Sequence, residues 1–144
     1  MTMKLAIAAW YVVAGAAAIP VARAWAEPSV WDGIYTSAQA KRGEVLYAKQ
    51  CASCHRENLE GHGTSPSLAG SEFLERWDGQ TVDDLFEKMQ ETMPADHPGS
   101  LSREQNAALL AYFLRVNEFP AGDAELRTET EWLAKIRFKA AKSK

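Results

Sequence analysis

Apolar side chains along this chain recur at intervals of three and four residues, and no stretch alternates with the period of two that a half-buried strand requires. Thr36-Ser37-Ala38-Gln39 has the form of a capping box. It opens a predicted helix to about Gln50 in which Ala40, Gly43, Leu46 and Tyr47 share one face. Gly43 weakens such a helix by about 1 kcal/mol relative to alanine, so its presence implies that another backbone approaches closely there. Ser71 heads a short helix through Trp77, which Asp78-Gly79 breaks. Thr81-Val82-Asp83-Asp84 starts another, with Val82, Leu85, Phe86 and Met89 as its apolar stripe; Pro94 and Pro98-Gly99 end it and enclose a loop. Ser102-Arg103-Glu104-Gln105 is a further capping box. Its helix carries Ala107, Leu110, Ala111 and Leu114, flanked by Leu109, Tyr112 and Phe113, and stops near Asn117 and Pro120. Beyond Gly122, Thr128-Glu129-Thr130-Glu131 caps a last helix with Trp132, Leu133, Ile136 and Ala140 on its apolar edge, which reads as an appendage. The pattern is all-α, without an internal repeat.

Ahead of these elements, residues 1–26 have the form of an export signal. Lys4 precedes an almost wholly apolar run from Leu5 to Ala22, and Ala24-Trp25-Ala26 supplies the small residues a signal peptidase reads, with cleavage before Glu27. The other reading is an uncleaved anchor, because the run is close to membrane-spanning length; Pro20 near its end and the Ala-x-Ala site favour removal. Periplasmic residence follows as the expectation. The division is then 1–26 signal peptide, 27–34 lead-in, 35–122 one small domain, and 123–144 a basic extension.

Charge refines that division. The net charge of −3 becomes −5 once Lys4 and Arg23 leave with the signal. Lys135, Arg137, Lys139, Lys142 and Lys144 crowd the last ten residues, which hold no acid, so the body from Glu27 to Ala134 carries −10. Nucleic acid is a poor partner for such a body. The basic end suits folding back on the acidic body, docking to a partner subunit or contact with an anionic membrane surface; the other reading is a solvated terminus.

The chemistry is concentrated in Cys51-Ala52-Ser53-Cys54-His55, which holds both cysteines of the chain. Cys-x-x-Cys-His is the spacing of covalent haem attachment. Each sulfur adds across one vinyl group, and the adjacent imidazole is delivered to one axial position of the iron. A thioredoxin-like dithiol belongs at a helix start after a strand, and no strand pattern precedes Cys51. Structural zinc needs four ligands, and His62 and His97, the two remaining histidines, do not have the separation for it.

A second axial ligand has few candidates. Outside the leader the methionines are Met89 and Met93. Met89 lies on the apolar stripe of its helix and reads as core filler. Met93 lies past that stripe, directly before Pro94, where regular helix cannot continue, and is the favoured thioether ligand. His97 competes from the same loop, and His62 between two glycines reads as solvated.

With these residues in place, the segment from about Tyr35 to Gly122 resembles the class I c-type cytochromes, a family of small helical bundles around one covalent haem. The resemblance implies a crossing of the first and last helices, with Gly43 and Tyr47 as one side and Leu109 and Tyr112 as the other. It implies that the Pro66 carbonyl accepts the Nδ1 hydrogen of His55, and that Trp77 donates to a haem propionate. The Met93-Pro94 segment is similar to the family's methionine loop. Trp31-Asp32-Gly33-Ile34-Tyr35-Thr36 and Arg42-Gly43 resemble small cytochromes that accompany periplasmic quinoprotein dehydrogenases; the basic tail departs from the usual compact ending.

The expected function is a one-electron carrier with one haem c and His/Met ligation, moving electrons from a dehydrogenase-type donor to an oxidase or cytochrome acceptor, and not itself an enzyme. The rival classes are a haem enzyme or gas-binding protein with a labile sixth position, and a cytochrome subunit of a larger dehydrogenase or oxidase complex.

Overall fold

The computed structural model describes residues 27–142; the expected leader, 1–26, lies outside them. A single 3-10 turn, Val30–Asp32, precedes helices α1 (Ser37–Gln50), α2 (Ala52–His55), α3 (Gly70–Trp77), α4 (Val82–Thr92), α5 (Arg103–Val116) and α6 (Thr130–Leu133). No strand forms among the described residues, so the fold is all-α as the periodicity indicates. No described helix is long and apolar enough to cross a membrane.

Two helix starts follow local sequence alone. At α4, Thr81 N–H donates to Asp84 Oδ2 at 2.8 Å and Asp84 N–H donates to Thr81 Oγ1 at 3.1 Å; Ser102 and Gln105 repeat the arrangement at α5. Those of α1 and α3 also draw on distant residues. Thr36 caps α1 by accepting from Gln39 N–H at 3.1 Å, but the Gln39 side chain does not complete the box. Its amide is turned inward, donating to the Leu126 carbonyl at 3.0 Å and accepting from the Leu126 N–H at 2.7 Å. Helix α3 starts at Gly70, ahead of the expected Ser71 cap. Asn117 Oδ1, from the end of α5, accepts from the Gly70 N–H at 2.9 Å and supplies the missing partner.

The most extensive interface is between α1 and α5. A Cβ at Gly43 would run into the Ala108 carbonyl, so glycine is what lets the two backbones meet. Beside that contact the Tyr47 ring lies 5.3 Å from Tyr112 and 6.0 Å from Phe113, centroid to centroid. The crossing expected from Gly43, Tyr47 and Tyr112 is therefore present. Its fourth member is Ala108, because Leu109 turns toward the interior cavity.

The C-terminal segment is not the helical appendage its spacing suggests. Helix ends at Leu133 after a single turn, and the chain then runs between the N-terminal segment and the loop that follows α3. Arg137 N–H donates to the Pro28 carbonyl at 2.8 Å, and Phe138 N–H donates to the Gln80 carbonyl at 2.8 Å. Leu133, Ile136 and Phe138 are buried in the same core as α3, α4 and α5. The helical spacing fails because backbone partners in two other segments compete for the amides a helix would have used.

Candidate haem site

A cavity of about 570 Å³ lies among the α1–α2 turn, α3, α4 and α5, inside the range of roughly 300–1,000 Å³ for ligand clefts. Cys51, Cys54 and His55 line it, as do Pro66 and Trp77, and Met89 and Met93 enter from α4. Leu68, Leu85, Leu109 and Phe113 make much of the remaining wall apolar.

The turn that presents the cysteines is short and tight. Cys51 N–H donates to the Tyr47 carbonyl at 2.9 Å, closing α1, while the Cys51 carbonyl accepts from Cys54 at 3.1 Å and from His55 at 2.9 Å. Cys51 is half-buried, Cys54 exposed, and His55 only 6 % exposed. Burial pushes the Cys51 thiol up to about 11, with the neighbouring Cys54 adding to the shift. The chain then leaves through Arg56 at φ 64°, a left-handed conformation uncommon for a side-chain-bearing residue. The Tyr47 hydroxyl donates to the Arg56 carbonyl at 2.6 Å and holds that conformation.

His55 is fixed from its far side. Its Nδ1 lies 2.8 Å from the Pro66 carbonyl. A carbonyl only accepts, so Nδ1 carries the proton and Nε2 keeps the lone pair a metal needs. Gly61 makes this approach possible: at φ 73° its N–H donates to the His55 carbonyl at 3.0 Å, and a Cβ there would collide with the Ser65 and Pro66 backbones. Leu68 N–H donates to the Leu59 carbonyl at 2.8 Å, and Asn117 Nδ2 donates to the Leu68 carbonyl at 3.0 Å, so the loop is tied at both ends.

Met93 caps α4 in extended conformation (φ −121°, ψ 150°), with its N–H donating to the Met89 carbonyl at 2.9 Å. Pro94 imposes that conformation on the residue before it. Met93 is half-buried and Met89 7 % exposed, and both reach the cavity. His97 does not line it: its side chain is 77 % exposed and pairs with Asp96 at 3.1 Å. His62 is exposed and lies 2.8 Å from Arg56. Trp77 is half-buried on the cavity wall, and its indole N–H has no protein partner among the described residues. No group of three or more His, Cys, Asp or Glu side chains that could hold a metal gathers among the described residues.

Gln80 and Asn106 join the wall without having been singled out by the sequence. Gln80 follows α3 on the wall. Asn106, 1 % exposed, donates through Nδ2 to Gln90 Oε1 at 2.8 Å, while its Oδ1 is buried without a partner. The signal for Asn106 is its register: it lies on the face of Leu110 and Phe113, where only a paired or ligand-directed amide is tolerated.

The family model described as "Cytochrome C oxidase, cbb3-type, subunit III" matches residues 38–113. No curated protein matches the chain. Among solved structures the chain is similar to the crystal structure of the sulfane dehydrogenase SoxCD from Paracoccus pantotrophus, at 26 % identity and a TM-score of 0.45 over 76 % of this chain and 61 % of that one. The family match spans more than half of the chain and encloses Cys51, Cys54, His55 and Met93; the chain belongs to the c-type cytochromes, all-α haem proteins of electron transfer.

Proposed function

We propose that the chain is a periplasmic one-electron carrier whose haem is joined to Cys51 and Cys54 and ligated by His55 and Met93. The observation that supports this reading is the His55 Nδ1–Pro66 hydrogen bond, which leaves Nε2 with its lone pair on a residue lining the same cavity as both thiols and Met93. The bound haem would supply the ferric/ferrous couple, and ligation by a neutral thioether together with an imidazole would favour the reduced state. The protein's part is to hold those ligands, to keep water off the buried wall of Leu85, Leu109 and Phe113, and to present one edge where Cys54 is exposed. Trp77, with its free indole N–H, is suited to bond a haem propionate.

The acidic body favours a donor dehydrogenase and an acceptor with basic docking faces, through an encounter that salt weakens. The family description names an oxidase subunit, which supports a second reading in which this cytochrome works inside a larger redox complex. Exposed Lys135 and Lys142, on the packed tail, are then the cations offered to a subunit or an anionic membrane.

The oxidised protein should show the weak far-red band of sulfur-ligated ferric haem, and acidified acetone should leave the pigment on the polypeptide. Met93→Ala should abolish the band and open the reduced protein to carbon monoxide, while Met89→Ala should spare it. Loss of the band in Met89→Ala alone would transfer the ligand to Met89. Ready carbon monoxide binding by the unaltered protein would point to the enzyme or gas-binding class.

A further inference from the structure

We propose that the C-terminal segment 129–140 is a positioning strap for Trp77, setting the indole on the cavity wall through the loop that follows α3. The inference rests on the haem reading of that cavity and adds a determinant that lies outside the family-matched residues 38–113.

Helix α3 ends at Trp77, and the next five residues are held by the strap. Ala140 N–H donates to Asp78 Oδ1 at 2.8 Å. Gly79 N–H donates to the Phe138 carbonyl at 2.9 Å, Phe138 N–H donates to the Gln80 carbonyl at 2.8 Å, and Val82 N–H donates to the Ile136 carbonyl at 2.9 Å. Thr81 completes the register as a bridge to Arg137. Gln80, which itself lines the cavity, sits at the middle of this ladder.

The grip extends to the other side of Trp77. Phe138 is fully buried and meets Phe73 edge-on at 5.8 Å; Phe73 lies one helical turn before Trp77 on α3. The strap is anchored in turn by Phe119, 5.4 Å from Phe138, and by the Trp31 indole N–H, which donates to the Lys139 carbonyl at 2.9 Å. Apolar cover of the core would need only the side chains of Leu133, Ile136 and Phe138. Four hydrogen bonds into residues 78–82 do more, because they set where the end of α3 stands. Trp77 is therefore flanked before and after by contacts to one segment, which fix the backbone from which its indole reaches the cavity wall.

The test is a double-mutant cycle on the haem-loaded protein, read as midpoint potential. Phe138→Ala should shift the potential in the same direction as Trp77→Phe, the double variant should shift it no further than Trp77→Phe alone, and Phe138→Leu should restore most of the original value. Additive shifts, or an unchanged potential in folded Phe138→Ala, would overturn the strap's role. Should Phe138→Ala fail to fold, Asp78→Ala, which removes an exposed acceptor of the strap, takes its place in the cycle under the same criteria. A second readout stands apart from the potential: the Trp77 indole N–H resonance, assigned by its disappearance in Trp77→Phe, should move in the strap variant, and an unmoved resonance counts against the proposal. A wild-type protein without covalent pigment would defeat the haem reading, while the resonance would still decide the strap.

Discussion

The Tyr47 hydroxyl, near the end of α1, donates to the backbone carbonyl of Arg56 at 2.6 Å, bridging the turn that carries both cysteines and His55. Arg56 sits at φ 64°, so this bond restrains a conformation the chain would otherwise leave. Tyr47→Phe keeps the ring between Tyr112 and Phe113 and removes only the bond. Urea unfolding should show a loss of about 1–2 kcal/mol, with the cavity residues otherwise in place.

The same hydroxyl gives the protein an alkaline limb. Burial, above all, holds the Tyr47 phenol well above its ordinary value, and burial also raises Tyr35 and Tyr112. The unfolded chain then releases these protons first, at about pH 10. Stability is complete below that point and falls as pH rises, by up to about 1.4 kcal/mol per pH unit for each such group. Urea titrations between pH 8 and 12 should show this fall, and Tyr47→Phe should make it shallower without abolishing it.

Gly43→Ala sets two effects against each other. Alanine gains about 1 kcal/mol of helix propensity. Its Cβ would, however, strike the Ala108 carbonyl, a backbone group that cannot rotate aside. Separating α1 from α5 is the remaining relief, so the variant should be less stable by about 1–3 kcal/mol net. A stabilised variant in denaturant titration would contradict the crossing.

In protein prepared without haem the two thiols should differ. Cys54 is exposed, whereas the half-buried Cys51 thiol is pushed up to about 11. Only roughly one Cys51 in a thousand is thiolate at pH 8, and the thiolate is what alkylates. Iodoacetamide should label Cys54 first, with Cys51 catching up as pH rises toward 11, as peptide mass spectrometry would record. Equal rates at pH 8 would refute the burial.

Local sequence carried the parts of this protein that are locally determined. Thr81 and Ser102 cap their helices with partners three residues on, and Cys51, Cys54 and His55 occupy one turn, so spacing suffices to find them. Gly43 was legible because its cost in a helix demands a reason. What the spacing concealed is governed by partners far along the chain. Gln39 spends its amide on Leu126, and Asn117 caps a helix that begins 47 residues earlier. Ile136 and Phe138 fall on opposite sides of any helical wheel yet are both buried, because the backbone there is extended between two other segments. At the site, Gly61 was hidden in a polar loop whose composition signals a turn but not a close approach to Pro66.

Pro28 and Val30 meet Arg137 directly, at 2.8 Å and 3.1 Å. The two ends of the described chain therefore leave the domain from one spot. Joining the ends and reopening the chain at an exposed loop should give a circular permutant that keeps the electron-exchanging face intact.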